Sequence, residues 1–217
     1  GRLQLDRFKA LVDELHPSLL YLILYFQGEP YLNPQFLEMV AYASRHRVHT
    51  MSSTNAHFLT PTKAKETVDA GLGRLIISLD GVDQATYEQY RVHGNLEKVL
   101  EGTNNLVTAK RLAKAKRPFV DLQFIVFKHN EHQIEEVRAL GKKLGVDRVS
   151  LKTAQIYDYV NAADWVPADE DKARYRRAQD GSYVIKNKLM DHCWKLWHGA
   201  EITWDGRVLP CCFDKDA

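Results

Sequence analysis

The sequence predicts an α/β fold whose parallel sheet curves into a barrel or a partial barrel. Strand-like apolar runs alternate with amphipathic, helix-like segments five times before about residue 155. Each run ends in polar residues or glycine, which would place these groups on one rim of the sheet. No glycine-rich phosphate loop follows any run, and this argues against a dinucleotide-binding fold. The polar residues at the strand ends are Glu29, Asn55, Asp80, Asn130, Lys152 and Thr153.

The first strand-like run organises the rest of the chain. A helix-like segment over residues 5–15 ends at Pro17, and the apolar run 19–26 follows it. Such a run is typical of a strand buried on both faces. It stops at Gly28, which allows close approach of a ligand, and at Pro30, which ends the strand. Glu29 is therefore expected at a strand end, where parallel α/β folds bind ligands.

Four further units repeat this pattern. Asp80 is interpreted as the cap of the helix that follows it. Residues 52–55 are interpreted either as a strand-ending turn or as a ligand contact. Predicted strands cover 48–54, 74–81, 119–127 and 149–154, and predicted helices begin near Asn33, Thr60, Thr86, Asn95 and Ile134.

The βα pattern stops near residue 155. Residues 169–180 are charged, with a helix as one interpretation, and Gly181 marks a linker. Residues 202–210 then read as a β-hairpin with an Asp205-Gly206 turn. We therefore predict a barrel over 1–155, a connecting segment over 156–187 and the start of a small domain over 188–217.

Composition limits the class of protein. The chain has 217 residues, a formal net charge of +2 and 45% hydrophobic residues, enough for one large domain with a substantial core. We find no signal peptide and no apolar run of membrane-spanning length, so a cytoplasmic protein without a membrane or nucleic-acid partner is expected. A basic run over 110–117 is interpreted as a solvated helix face. The three cysteines are clustered at 193, 211 and 212, which favours metal or reactive chemistry over disulfides.

Three motifs in this order resemble the radical S-adenosylmethionine (SAM) enzymes. The strand ending in Gly28-Glu29-Pro30 is similar to their Gly-Gly-Glu motif, with Gln27 in place of the first glycine. The segment 78–81, Ser-Leu-Asp-Gly, resembles their next ligand-binding stretch. The last residues resemble the start of a SPASM or twitch auxiliary-cluster domain, since twelve residues separate Cys193 from Gly206 and four separate Gly206 from Cys211.

The resemblance implies a partial (β/α)6 TIM-like barrel that lacks its first strand here, followed by the start of a β-hairpin auxiliary-cluster domain. It implies a [4Fe–4S] cluster that cleaves SAM reductively, so that a 5′-deoxyadenosyl radical abstracts hydrogen from a substrate. A reductant such as flavodoxin or ferredoxin is implied as a partner. The substrate would be a peptide, a protein side chain or a small molecule. The sequence indicates no catalytic acid or base.

The resemblance also assigns SAM contacts. Glu29, or backbone near Gly28, would accept from the ammonium group, and Arg91 would pair with the carboxylate as a planar fork. Ser78 would bind the ribose or the carboxylate. Backbone around Lys152 would meet the adenine. Asn55 completes the set of candidate cofactor contacts.

The iron ligands are only partly present. The family's Cys-x3-Cys-x2-Cys motif is absent from the sequence, and we expect it upstream of Gly1 in a longer parent protein. This segment alone would then be inactive. The resemblance implies that Cys193 and Cys211 ligate an auxiliary iron–sulfur cluster, with the remaining ligands beyond Ala217.

Two other classes of function remain open at this point. Lys152 on a late barrel strand suits a Schiff-base aldolase, in which a desolvated lysine attacks a carbonyl. The three cysteines, with a nearby histidine, also suit a non-enzymatic module that binds zinc.

Overall fold

A computed structural model of the chain describes residues 1–156, 162–187, 193 and 197–210. Its centre is a five-stranded sheet in which every neighbouring pair of strands is parallel. The strand order in the sheet is also the order in the chain. The strands are β1 (Tyr21–Ile23), β2 (His49–Thr54), β3 (Arg74–Ser78), β4 (Phe119–Val126) and β5 (Arg148–Thr153).

Six helices fill the connections between these strands or precede them. After α1, every connection between consecutive strands contains one or two helices that lead back to the next parallel strand, as in the βα units of a barrel. Thr60, Asp83 and Asn95 each cap a helix by accepting a backbone N–H, and Gly145 ends one in the left-handed conformation. The helices are α1 (Leu5–Leu15), α2 (Phe36–Arg45), α3 (Pro61–Asp69), α4 (Gln84–Tyr90), α5 (Leu96–Leu112) and α6 (Ile134–Leu144).

All six helices pack on the same face of the sheet. The main core joins apolar residues of α2 to α6 to Leu75 and Ile77 of β3 and to Leu122 and Phe124 of β4. A second cluster joins α1 and α2 to β1 through Leu22. Because side chains alternate along a strand, residues between these positions point to the opposite face. A sequential parallel sheet covered on one face is part of a barrel, which confirms the predicted fold class.

The expectation that the first strand is buried on both faces was wrong. β1 has only three residues, and Tyr21 and Ile23 are 42% and 52% exposed. Leu22 between them packs against α1 and α2. The physical reason is the one-sided helical layer, which covers alternate residues of β1 and leaves the others on the open face.

A close contact between α5 and the loop after β2 fixes the position of that loop at the rim of the sheet. A Cβ on Gly102, in the middle of α5, would lie 2.3 Å from the carbonyl oxygen of Ala56. The absence of a side chain therefore lets α5 touch the loop that follows β2. The same loop carries Asn55 and His57 of the candidate site.

Two short hairpins follow the sheet. The helix considered for 169–180 was wrong, because β6 (Tyr175–Arg177) pairs antiparallel with β7 (Tyr183–Ile185) after a single helical turn at Glu170–Lys172. Buried Tyr175 explains the difference, since its hydroxyl accepts from the backbone N–H of Ile156 at 2.9 Å and anchors the segment. A four-residue helix, α7 (Ala162–Trp165), precedes them.

The predicted C-terminal hairpin is present as β8 (Glu201–Ile202) and β9 (Val208–Leu209). Its loop differs from the two-residue turn expected from Asp205-Gly206. Thr203 and Arg207 pair through the backbone, and the Gly206 N–H donates to the Thr203 carbonyl. Gly206 has φ +93°, so the loop has three residues and ends in a glycine, a common hairpin geometry.

Within the described part of the chain, no helix combines the length and the apolar character that crossing a bilayer requires. The domain boundaries at 155 and 187 stay predictions.

Candidate functional site

Glu29 links the ends of β1 and β2 at the carboxyl rim of the sheet. One carboxylate oxygen accepts from the Thr54 hydroxyl at 2.9 Å and from the Tyr31 N–H at 3.2 Å. The other accepts from the Asn55 N–H at 2.8 Å. Burial raises the pKa of Glu29, while these hydrogen bonds act in the opposite direction. The carboxylate is therefore fixed in place and retains one acceptor position on the oxygen that faces Asn55.

Position 28 requires glycine because of the backbone conformation there. Its φ of +81° is in the left-handed region, where side chains are strained. A Cβ at this position would meet no atom within 4 Å among the described residues. The glycine thus turns the chain at the rim and leaves open space beside Glu29.

Asn55 and His57 shape the loop after β2. The Asn55 side-chain oxygen accepts from the His57 N–H at 3.0 Å. The His57 ring accepts from the Asn95 N–H through Nε2 at 3.0 Å, so Nδ1 carries the proton and donates to the Asn55 carbonyl at 2.9 Å. The side-chain NH2 of Asn55 has no partner in the described ranges and is available to a ligand. Of the residues 52–55, Ser52 and Thr54 use their hydroxyls in hydrogen bonds to other residues of the chain, as expected for a strand-ending turn.

Ser78 is the last residue of β3 and faces away from the helices. The flanking residues Ile77 and Leu79 are fully buried in the core, so alternation places Ser78 on the opposite face. Its hydroxyl makes no hydrogen bond to any described residue. Ser78 is therefore a free donor and acceptor at the rim, as the resemblance implies.

Asp80 does not cap α4, contrary to the expectation from the sequence. Asp83 is the cap, and it accepts from the Thr86 N–H at 2.8 Å. Asp80 is fully buried and accepts from the Ile125 N–H of β4 at 2.8 Å. β3 ends at Ser78. The Asp80 carboxylate therefore accepts from the Ile125 N–H in place of a backbone carbonyl of a longer β3. Burial raises the pKa of Asp80, and the charge of Arg91 opposes that change.

Arg91 is positioned by Asp80. Its Nε donates to the second Asp80 oxygen at 2.6 Å, and the guanidinium lies 5.1 Å from the centre of the Tyr90 ring. The Arg91 side chain is 30% exposed. Its two terminal nitrogens have no partner among the described residues. The two terminal nitrogens can therefore donate to a ligand carboxylate, while the buried carboxylate of Asp80 holds Nε.

An aromatic group at the same rim was not found from the sequence. Tyr90, Phe127, His129 and Trp165 are in ring contact, with Phe127 and His129 stacked at 5.4 Å. His129 Nε2 is buried and has no partner in the described ranges, and burial lowers the pKa of His129. Tyr90 ends α4, Trp165 ends α7, and Phe127 and His129 lie in the loop after β4, so no local pattern indicated their meeting.

Lys152 lies on β5 opposite Ile125 of β4. Its side chain is exposed. It shares a face with Ser150 and Arg148, two and four residues earlier on the strand. It is separated from the Asp80–Arg91 pair by β4.

These groups suit the amino-acid end of SAM. An α-ammonium needs acceptors, and Glu29 offers a half-buried carboxylate. An α-carboxylate needs donors, and Arg91 and Ser78 offer unpaired ones. Glu29 follows β1 and Ser78 ends β3, so both lie at the carboxyl rim of the sheet. Arg91 follows α4, the helix after β3. The donor set therefore fits the cofactor that the motifs imply.

The chain's described residues do not supply a complete iron site. No group of three or more histidine, cysteine, aspartate or glutamate residues in the described ranges is arranged to hold a metal. Cys193 is exposed and is not in a disulfide. Cys211 and Cys212 lie outside the described residues.

Comparison with known proteins agrees with these observations. A family model described as the Radical SAM superfamily matches residues 1–141, and the SPASM iron–sulfur cluster-binding domain matches 193–217. A tungsten-containing aldehyde ferredoxin oxidoreductase cofactor-modifying protein of Pyrococcus furiosus is 26% identical over 97% of this chain and 63% of its own length. A PqqA peptide cyclase of Gluconobacter oxydans is 27% identical over 85% of this chain and 54% of its own length. The chain thus spans little more than half of these relatives.

Solved structures show the same fold. SuiB of Streptococcus suis bound to S-adenosylmethionine superposes with a TM-score of 0.59 at 10% identity, over 73% of this chain and 35% of that one. This similarity agrees with the sheet of five sequential parallel strands and its covering helices, which we call the half-barrel. With the family model matching residues 1–141 of 217, the chain belongs to the radical SAM superfamily.

Proposed function

We propose that this chain forms the SAM-binding half-barrel, and the start of the auxiliary-cluster domain, of an enzyme that modifies a peptide or small-molecule substrate by radical chemistry. The observation that supports it best is the unpaired end of the Arg91 guanidinium, which buried Asp80, two residues after the free Ser78, holds through Nε. A peptide is favoured as substrate because relatives include a PqqA peptide cyclase and a structure of SuiB with its precursor peptide.

The reaction depends on groups outside the described residues. When bound, SAM and a [4Fe–4S] cluster together supply a 5′-deoxyadenosyl radical that abstracts hydrogen from the substrate. The ligands of that cluster are proposed to precede Gly1 in the complete protein. An electron donor such as flavodoxin or ferredoxin would reduce it.

The residues of this chain bind and orient the cofactor. Glu29 would accept from the SAM ammonium with its remaining lone pair, because its other positions hold Tyr31, Thr54 and Asn55 in place. Arg91 would donate to the carboxylate from its terminal nitrogens while Asp80 holds Nε. Asn55 and Ser78 add neutral hydrogen bonds at the same rim. Backbone of β5 around Lys152 is proposed to meet the adenine.

The aldolase hypothesis loses support from the structure. A Schiff-base lysine is activated by desolvation, whereas the side chain of Lys152 is exposed. The zinc hypothesis is not tested, because Cys211 and Cys212 lie outside the described residues. Zinc in place of iron in the purified complete protein would support it.

The SAM contact is tested with Arg91→Ala in the complete, reconstituted protein. We expect SAM binding to weaken by about 1.5–3 kcal/mol, the scale of a hydrogen bond to a charged group. Isothermal titration gives the dissociation constant without turnover. Arg138→Ala is the matched control, because Arg138 is an exposed arginine that pairs with Glu135 on α6. An Arg91→Ala dissociation constant equal to that of the control would remove Arg91 from the site.

The auxiliary cluster is tested with a Cys193→Ala, Cys211→Ala double variant. We expect the iron content of the complete protein to fall by about one cluster, because such clusters are held by cysteine thiolates. Iron analysis and the absorbance of the cluster measure the change, and SAM cleavage reports whether the other cluster survives. A Cys212→Ala variant is the control for general damage to this segment. Unchanged iron would show that the hairpin has no cluster.

A further inference from the structure

The open face of the sheet has a group of polar residues that the SAM site does not use. Arg74 of β3, Asp121 of β4, and Arg148 and Ser150 of β5 lie in contact there, and we name them the arginine cluster. Their neighbours along each strand, such as Leu75, Leu122 and Val149, pack in the helix-covered core. Alternation therefore points the cluster away from the helices, into the concave side of the barrel.

Asp121 is the centre of the arginine cluster and is fully buried. One oxygen accepts from the Ser150 hydroxyl at 2.6 Å and from Arg148 Nε at 3.2 Å. The other accepts from an Arg148 terminal nitrogen at 2.7 Å and from one of Arg74. Four donors occupy the four acceptor positions of the carboxylate, so it can accept nothing more.

The two arginines have donors to spare. Two guanidinium charges face one carboxylate charge, which leaves the cluster with one unbalanced positive charge. Arg74 Nε is buried without a hydrogen-bond partner in the described ranges. A buried donor left unpaired costs about 1–3 kcal/mol, and such groups are rare without a ligand or water. Each arginine also has one terminal nitrogen without a described partner.

The cluster is accessible from the open side. The side chain of Arg148 is 47% exposed and that of Arg74 is 29% exposed. Arg148 lies 5.4 Å from the centre of the Phe119 ring. Phe119 is itself exposed, and so are Tyr21 and Tyr25 on the same side of the sheet. Charged donors flanked by exposed aromatic rings form a surface on which an organic anion is better held than a bare inorganic ion.

The cluster is within reach of the SAM site. In the strand register, Asp121 faces Ile76 on one side and Arg148 on the other. Ser78, Gln123 and Ser150 form the next level on this face, towards the carboxyl rim. One level is two residues, or about 7 Å of strand. Arg74 lies one level below Asp121, opposite Phe119, and is therefore about 13 Å of strand from Ser78. A molecule of a few residues could span this distance.

We propose that the arginine cluster binds a carboxylate of the substrate, so that the enzyme acts on a molecule with an acidic group near the position attacked. This rests on the proposed function and deepens it. One unbalanced charge matches a single carboxylate, whereas a phosphate monoester carries about −1.5 to −2. Arg148 and Arg74 would each donate from the terminal nitrogen that has no partner among the described residues. The carboxylate could belong to an acidic side chain, a peptide C-terminus or a small organic acid.

The test measures binding of a defined anion to the complete, reconstituted protein with SAM present. The probe is butyrate, which carries a single carboxylate, and neutral butyramide of the same shape is the reference, both observed by saturation-transfer NMR at constant ionic strength. We expect butyrate to bind at least about tenfold more tightly than butyramide. Arg148→Gln should abolish that preference, and Arg138→Gln, a surface arginine paired with Glu135, should keep it. Equal binding of both probes, or equal loss in both variants, overturns the proposal.

Two further measurements distinguish failure of this proposal from failure of the proposed function. If Arg148→Gln fails to fold, Arg148→Lys replaces it; we expect a partial loss of the preference, since lysine keeps the charge without the fork, and an unchanged preference would count against the site. SAM affinity should be unchanged in Arg148→Gln and reduced in Arg91→Ala. Absence of SAM binding by the unmodified protein would contradict the proposed function, whereas absence of the butyrate preference alone contradicts only the arginine cluster. Pentaglycine with a free C-terminus and a blocked peptide with one glutamate then distinguish the two peptide sources.

Discussion

Replacing Asp80 with alanine should lower the free energy of unfolding by about 2–4 kcal/mol, and replacing it with asparagine should weaken SAM binding in a folded protein. Alanine leaves the Ile125 N–H without its acceptor and Arg91 without its partner. Asparagine can still accept from Ile125, but its NH2 group cannot accept from Arg91 Nε. Denaturant unfolding measures the first effect and isothermal titration the second.

The control for Asp80→Asn is the same change three residues later. Asp83 caps α4 through a hydrogen bond that asparagine also makes, but its second oxygen accepts from Thr86 and Gln133, so Asp83→Asn should cost some stability and leave SAM affinity unchanged. We expect Asp80→Asn to reduce SAM affinity about tenfold, because Arg91 loses the contact that orients it. If Asp80→Asn bound SAM as tightly as Asp83→Asn, Asp80 would have a role in the fold only.

Asp121→Asn should destabilise the chain by about 2–4 kcal/mol near neutral pH. The change removes the one negative charge between Arg74 and Arg148 and turns an acceptor into a donor that faces both. Burial acts to raise the pKa of Asp121, but hydrogen bonds from Arg148, Ser150 and Arg74 outweigh it and lower the pKa overall. The contribution of the charged carboxyl is therefore complete above the unfolded pKa, about 3.9, and is lost as pH falls through the lower folded value.

The measurement is the difference in unfolding free energy between the original chain and Asp121→Asn as a function of pH. We expect a constant difference from about pH 5 to 8 that shrinks only in strong acid. Asp69→Asn is the matched control, because Asp69 forms an exposed pair with Lys65 four residues earlier on α3. Exposed pairs of this kind contribute little. A difference that did not depend on pH would show that shape, rather than charge, accounts for the cost.

The features predicted correctly are those with a local cause. Thr60 and Asn95 begin helices as expected, since each acts on residues within one turn. The alternation of strand and helix predicted a parallel barrel, because crossover connections allow few other arrangements. Ser78 and Glu29 reach the rim because strand direction alone decides it.

The features that were missed depend on distant parts of the chain. Asp80 has a capping residue type, but its partners are Ile125 on β4 and Arg91 beyond α4, and no spacing rule links them. The arginine cluster joins three strands, and its members look like ordinary polar positions in each. The exposure of Tyr21 and Ile23 was missed because an apolar run does not reveal how many faces are covered. Cys211 lies outside the described residues, so its role stays a prediction.

The agreement between strand order and chain order also bears on how the protein is made. Each strand from β2 to β5 pairs with the strand just before it in the sequence. During synthesis, every new strand therefore emerges when its partner already exists, and no strand has to wait for a later segment. Each pairing closes a loop of one βα unit rather than of the whole chain, which limits the entropy cost of forming this parallel sheet. The half-barrel can thus grow from its N-terminal side on the ribosome, one βα unit at a time.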